Sequence, residues 1–249
     1  MPRTSDIIWL EKTDSTNLEL RRRIDTLDNL SVICAVEQTA GRGQGDHTWT
    51  SAPGENLTCS VLLRFADISP LRASDALYIT KIITLALVDL LSDYGIQARI
   101  KWHNDIYVGG LKICGILIEN ILNGEMISES IVGIGLNVNQ TVFPDYLPNP
   151  VSIAALKAHV VPSGEHAADV AGAGSGAATG EHAAGGAGAD SGAATGEHAA
   201  GGGEKYDVRS IARELREKIA RRAHMLTSPA GRDSLTAEFD TLVFLRPQI

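Results

Sequence analysis

The sequence predicts an α+β fold, a β-sheet carrying helices, and three observations support that prediction. The run Asn56 to Phe65 alternates cleanly, with Leu57, Cys59, Val61, Leu63 and Phe65 on one side, the period-two signature of a strand. Val132, Ile134, Leu136 and Val138 repeat the pattern, with glycine and asparagine between them. Strand-like runs also follow one another with few helices between, whereas a doubly wound sheet alternates strand and helix regularly.

Taken in order, Asp6 to Glu11 reads as a first strand. A polar turn at Thr13 to Ser15 opens a short helix through Leu18, Leu20 and Ile24. Ser31 to Val36 is a β-rich run, followed by the strand Asn56 to Phe65. Ser69-Pro70 is a helix start and Gly95 its stop, and Leu77, Ile82, Leu85 and Val88 to Leu90 would cover the sheet. Gln97 to Trp102, Lys112 to Glu119 and Glu125 to Asn139 are three further strands, and Tyr206 to Ala223 is an amphipathic helix.

With 249 residues, 44% of them hydrophobic and 21% charged, the chain can bury one sizeable core plus an accessory element. A net charge of −8 and a pI of about 5.3 exclude a globally basic surface for nucleic acid or acidic lipid, so any anion site is local. Cys34, Cys59 and Cys114 sit in apolar runs and read as small buried hydrophobes of a reducing compartment. The first fifteen residues lack an apolar core of signal-peptide length. The longest apolar run, Ile82 to Val88, is interrupted by Thr84 and ended by Asp89, far too short to span a membrane. The reading is a cytoplasmic protein with no membrane partner.

Val161 to Glu204 stands apart as an almost pure Gly/Ala stretch in which Gly-Glu-His-Ala-Ala begins at Gly164, Gly180 and Gly196. Without large apolar side chains it cannot offset its ordering entropy, so it reads as a disordered expanded repeat. Metal binding by the evenly spaced His166, His182 and His198 is the sharper alternative.

Three constellations carry chemistry. In Glu37 to Trp49, the alternate glycines Gly41, Gly43 and Gly45 leave backbone N–H groups free to converge on an anion, and Arg42 adds a planar charge able to fork onto two oxygens. The spacing is neither a Rossmann fingerprint nor a Walker loop, and taken alone it also fits a plain hairpin loop. In Lys101-Trp102-His103-Asn104-Asp105, followed by Lys112-Ile113-Cys114-Gly115, a lysine at the mouth of an apolar strand calls for an anionic partner, either Asp105 or a ligand. Strict alternation puts Lys112 and Gly115 on opposite faces, so both reach one ligand only if Lys112 acts from the strand end or a bulge intervenes. In the third, Gly133, Gly135, Asn137 and Asn139 share the face opposite Val132 to Val138. Glycines weaken a strand unless something approaches the backbone closely, which fits either a flat ligand hydrogen-bonded by Asn137 or tight helix packing.

In this order the motifs resemble the biotin–protein ligase family, in its monofunctional type. The matching pieces are Asp14-Ser15-Thr16-Asn17, Gln38-Thr39-Ala40-Gly41-Arg42-Gly43, Lys101 to Asp105, Lys112 with Gly115-Ile116-Leu117, and Gly133-Ile134-Gly135-Leu136-Asn137. The resemblance implies a mixed central β-sheet flanked by helices, the class II synthetase-like catalytic domain of biotin and lipoate ligases. It implies that Ser15, Thr16, Asn17 and Gln38 bind the ureido ring of biotin, with Gly115 and Gly133 as close-approach points beneath the ring. Arg42, Gly43 and Gln44 resemble the segment that closes over biotinyl-AMP, Trp49 an adenine platform, and Asn104 and Asn137 partners for the adenine edge. Lys112 matches the lysine near the carboxylate and α-phosphate, so Arg42 and Lys112 are the catalytic candidates. ATP and Mg²⁺ are implied, with no metal ligand identified. The implied partner is the biotin carrier domain of a biotin-dependent carboxylase, and a homodimer is left open. Three segments follow: 1–160 as catalytic domain, 161–204 as repeat insertion, and 205–249 as its C-terminal helical remainder.

The chain departs from the family pattern in places. The loop runs Gln44-Gly45-Asp46-His47 where further arginines are common, and His103 stands where proline is common. There is no room before Ser15 for a DNA-binding domain, and the C-terminal SH3-like barrel reads as missing or truncated. A lipoate or octanoate ligase of the same fold and a catalytically weak biotin-binding protein are the alternatives. Nucleic acid is not expected as a partner, given the acidic charge.

Overall fold

The computed structural model describes residues 7–158 and 205–244. The elements are β1 (Ile7–Thr13), α1 (Thr16–Arg23), β2 (Val32–Gln38), β3 (Leu57–Arg64), α2 (Phe65–Ile68), β4 (Leu71–Arg72) and α3 (Leu77–Asp93). They continue with β5 (Arg99–Lys101), β6 (Asp105–Val108), β7 (Leu111–Asn123), β8 (Met126–Leu136), α4 (Ile153–Ala158), α5 (Val208–His224), α6 (Pro229–Leu242) and β9 (Val243–Phe244). The sheet runs β1-β2-β3-β8-β7-β6-β5-β9, with β4 paired to one end of β8. Pairing is parallel at β1–β2 and β5–β9 and antiparallel along the rest, so the sheet is mixed, as the resemblance implies.

The alternation read in β3 and β8 is the wall of the core. Leu57, Cys59, Val61, Leu63 and Phe65 join Val132, Ile134, Leu136 and Val138 in one buried cluster with α3, α5 and α6. Arg222 of α5 ties these helices together, reaching Asp89 of α3 at 2.6 Å and Glu238 of α6 at 2.5 Å. The opposite face carries a smaller cluster, Leu20 of α1 with Ile33, Leu62 and Ile131. Beyond that patch the same face turns polar and glycine-lined, and there the site lies.

Several boundaries differ from expectation. The helix expected from Ser69-Pro70 starts later, because Leu71 and Arg72 pair with Ile127 and Met126 before a 3₁₀ turn at Ala73–Asp75 leads into α3. Its stop is as read: Gly95 takes φ +68°, with its N–H on Ser92 and that of Ile96 on Leu91, both carbonyls of the last turn. Phe65 leaves the strand to open α2. Strand β6 escapes the sequence reading, although Gly109 and Gly110, both at positive φ, make the β6–β7 turn and are a hairpin signal. Also unforeseen are α4, α6, capped by Ser228 with Pro229 in its first turn, and β9, which adds to β5 at the sheet edge. Among the described residues no helix is long and apolar enough to cross a membrane.

Candidate active site

The thirteen residues to which the resemblance gives a biotin, nucleotide or catalytic role all line one cavity of about 510 Å³: Ser15, Thr16, Asn17, Gln38, Arg42, Gly43, Gln44, Trp49, Asn104, Lys112, Gly115, Gly133 and Asn137. They come from α1, β2, the hairpin after β2, the β5–β6 loop, β7 and β8, and the sheet order brings these together.

The start of α1 forms a polar recess. Gln38 Oε1 accepts from the Thr16 N–H at 2.8 Å and its hydroxyl at 3.1 Å, which leaves Gln38 Nε2 as donor. Ser60 Oγ, fully buried on β3, lies 2.8 Å from Thr16 Oγ1 and 2.5 Å from Asn17 Oδ1. The other end of the Asn17 amide donates to Glu119 Oε2 at 2.8 Å. Both ends of Asn17 are therefore held by protein groups, and it shapes the recess as a clamped wall. Asp14 accepts the Ser15 N–H at 2.7 Å, and its pairing with Arg22, aided by that N–H, holds its carboxyl well below the usual carboxylate range.

The glycines floor this face, and protein side chains use the room they leave. A Cβ at Gly133 would stand 2.4 Å from Asn17 Oδ1. At Gly135 it would meet Trp49 Cε2 at 2.2 Å, and at Gly115 Trp49 Cζ3 at 3.0 Å. The indole takes up the place expected for a ligand ring, and its Nε1 is buried with no hydrogen-bond partner among the described residues. Asn137 Nδ2 donates to the Val151 carbonyl at 3.0 Å and Asn104 Nδ2 to that of Ile116 at 2.6 Å. Asn139, expected beside them, is turned away and exchanges two hydrogen bonds with the backbone of Tyr206.

The bulge that would let Lys112 and Gly115 share a ligand is present. Ile106 pairs with Cys114 and Tyr107 with Lys112, so Ile113 is extra in β7 and the alternation resets. Lys112 takes Asp105 at 2.9 Å, while Lys101 lies 3.4 Å from the Tyr107 hydroxyl and over its ring. The structural partner offered by Asp105 thus goes to Lys112. Arg42 reaches Glu119 at 3.2 Å. Each candidate catalytic cation lines the shared cavity while paired to a carboxylate of its own.

The glycine-rich segment corrects an expectation. It is a hairpin whose N–H groups bond within it, Gly43 to the His47 carbonyl at 2.7 Å and Trp49 to that of Gly41 at 3.0 Å. Gly45 makes its turn at φ +57°. The anion-binding capacity of this loop therefore rests on the Arg42 side chain more than on a nest of amides. Among the described residues no cluster of three or more His, Cys, Asp or Glu could hold a metal ion. The repeat histidines His166, His182 and His198 lie outside the described residues.

Sequence reasoning missed Ser60, Asp105 as a wall of the site, and Glu119. Ser60 was the polar partner in an alternating strand whose other face turns out to be covered as well. Glu119 stands two steps of alternation beyond Gly115, which puts it on the same face.

The biotin/lipoate A/B protein ligase family matches residues 9–137. The bifunctional ligase/repressor BirA of Bacillus subtilis is 40% identical over 120 residues, which cover 47% of this chain and 36% of the relative. The biotin–[acetyl-CoA-carboxylase] ligase of Paracoccus denitrificans is 34% identical over 160 residues, 61% of this chain and 64% of the relative. The match thus spans about a third of the first relative's length and under two thirds of the second's. In fold, the chain resembles the biotin protein ligase of Aquifex aeolicus in complex with biotin and ATP (TM-score 0.66, 19% identity, 97% of this chain and 79% of that one). It also resembles that of Leishmania major in complex with biotin (TM-score 0.65, 21% identity, 99% and 86%).

Proposed function

The chain belongs to the biotin/lipoate A/B protein ligase family, and on that premise we propose that it is an ATP-dependent biotin–protein ligase. It forms biotinyl-5′-AMP from biotin and ATP, then transfers biotin to a specific lysine of a biotin carrier domain. The observation that carries this reading is the union, in one cavity, of a neutral polar recess with the cations Arg42, Lys101 and Lys112.

Biotin's carboxylate oxygen attacks the α-phosphorus, a P–O bond forms, and the bond to pyrophosphate breaks. Two anions must meet, so fixed positive charge is needed where negative charge accumulates. Lys112 and Arg42 supply it, each exchanging its resting carboxylate for the reactants. Groups of this kind typically contribute about 3–4 kcal/mol each to the transition state. The recess suits a ureido ring: Gln38 Nε2 and the Ser15 and Thr16 groups give short-range donors and acceptors that a dithiolane or alkyl chain would leave unmatched. The neutral amine of the acceptor lysine then attacks the anhydride carbonyl, an amide forms and AMP leaves. Closure of the Gly41–Trp49 hairpin keeps water out meanwhile, with Trp49, swung off the glycines, serving the adenine together with Asn104 and Asn137. Asp105, on the cavity wall, fits a Mg²⁺ held by one carboxylate, water and substrate phosphates, where the ion would screen the polyphosphate charge.

A carboxylase carrier domain as acceptor is supported by the name of the Paracoccus relative. The reading extends to a cytoplasmic protein, with residues 161–204 a passive insertion between catalytic segments. A homodimer through a sheet edge is a further part of the proposal. The test is transfer of labelled biotin from biotin and ATP to a carrier domain, with lipoate in parallel. Biotin alone should be transferred. Transfer of lipoate instead, or tight biotin binding without transfer, overturns the assignment.

A further inference from the structure

Among the described residues, Glu119 is the carboxylate that touches both halves of the site. On the site face of β7, its Oε2 accepts from Asn17 Nδ2 at 2.8 Å and its Oε1 from Arg42 Nη1 at 3.2 Å, with Arg21 Nη2 at 3.8 Å. Through Asn17 it continues to Ser60, Thr16 and Gln38, so one chain of hydrogen bonds runs from the polar recess to the guanidinium of the hairpin. Nothing in the α+β fold requires a charge here, since neighbouring Leu117 and Ile121 meet the same face with apolar groups.

We infer that Glu119 is a positioning residue for the ligase reaction: it orients the Asn17 amide and tethers Arg42, and with it the Gly41–Trp49 hairpin, beside the recess. The inference rests on the functional reading above. Its physical basis is that an amide can present its oxygen or its nitrogen, and only an acceptor on the far side fixes which. With Glu119 accepting from Nδ2, Oδ1 is directed to Ser60 over Gly133. Arg42 ties the hairpin to β7, beside the packing of Trp49 on the glycines and a Gln44–His103 contact at 3.3 Å, so the ion pair limits where the guanidinium can wander before the reactants arrive.

Two substitutions separate the two duties. Glu119→Gln keeps a neutral acceptor for Asn17 and removes the charge that holds Arg42; Glu119→Ala removes both. Biotin-dependent ATP–pyrophosphate exchange should show Glu119→Gln with KM for biotin within about twofold of the parent and kcat down about tenfold. Glu119→Ala should add a rise of about tenfold in KM for biotin. Amide hydrogen exchange of residues 41–50 in the ligand-free protein should be roughly two- to fivefold faster in both variants. A parent protein without exchange activity refutes the ligase reading and leaves the tether to be judged by the hydrogen-exchange arm. Unchanged hairpin exchange, or equal effects of Gln and Ala on KM and kcat, overturns the inference.

Discussion

Replacing Gly133 by alanine tests why the floor of the site is glycine. The added methyl would stand 2.4 Å from Asn17 Oδ1, and ordinary contact begins at 3.4 Å, so the amide must retreat by about 1 Å. Asn17 is buried and held on both sides, by Ser60 at 2.5 Å and Glu119 at 2.8 Å. A retreat of that size breaks the first hydrogen bond and strains the second. Losing a neutral bond and part of a charge-assisted one removes about 2–4 kcal/mol of stability. For a chain of this size that lowers Tm by roughly 4–16 °C. Calorimetric melting and biotin titration are the assays, and both Tm and affinity should fall. Gly135→Ala is the control. Its methyl would meet Trp49 Cε2 at 2.2 Å, but that indole hangs on an exposed hairpin and can swing out. Tm should then change by no more than about 2 °C, while affinity for the nucleotide or biotin falls about tenfold. A Gly133→Ala protein that melts with its parent and binds biotin as well would refute the view that this glycine makes room for Asn17.

Lys112→Ala and Arg42→Ala should each leave a folded protein with biotin-dependent ATP–pyrophosphate exchange reduced by about 100-fold or more; full exchange in either variant removes that residue from the chemistry. Deleting residues 161–204 should leave carrier labelling within about twofold, and loss of labelling in a protein that still melts cooperatively would make the insertion an active part of the enzyme. Tyr94 donates to Glu214 at 3.1 Å, and burial, reinforced by that carboxylate, pushes its phenol up to about 12. A raised folded-state value means a contribution fully present below pH 10 and lost as pH rises toward 12. The stability difference between the parent and Tyr94→Phe, read from urea titrations, should narrow over that window; a pH-independent difference contradicts the assignment.

Much of the site was legible because its elements are strands, whose period of two assigns faces residue by residue. Gly133 and Gly135 could be placed opposite Val132 and Ile134 from alternation alone, while the conflict between Lys112 and Gly115 left the strand end or a bulge as alternatives, and the bulge falls at Ile113. What the glycines face was not legible, since whether Asn17, Trp49 or a ligand uses the room depends on contacts distant in the chain. The same holds for Glu119, whose partners Asn17 and Arg42 lie 102 and 77 residues away. The late start of α3 was hidden because Leu71 and Arg72 have a tertiary partner, the end of β8, that overrides the local Ser-Pro signal. Short elements such as β6 and β9 carry too few residues for a period to show, and they exist by pairing with neighbours.

The proposed ligase reaction requires that Arg42 and Lys112, each resting on its own carboxylate, converge on one reacting centre beside the recess of Ser15, Thr16 and Gln38. A crystal structure with a hydrolysis-resistant acyl-adenylate analogue of biotin tests it directly. The bicyclic ring is expected in that recess, with Trp49 lifted from Gly135 and both cations on the linkage between acyl group and phosphate. A linkage contacted by neither cation, with Arg42 still on Glu119 and Lys112 still on Asp105, would contradict it.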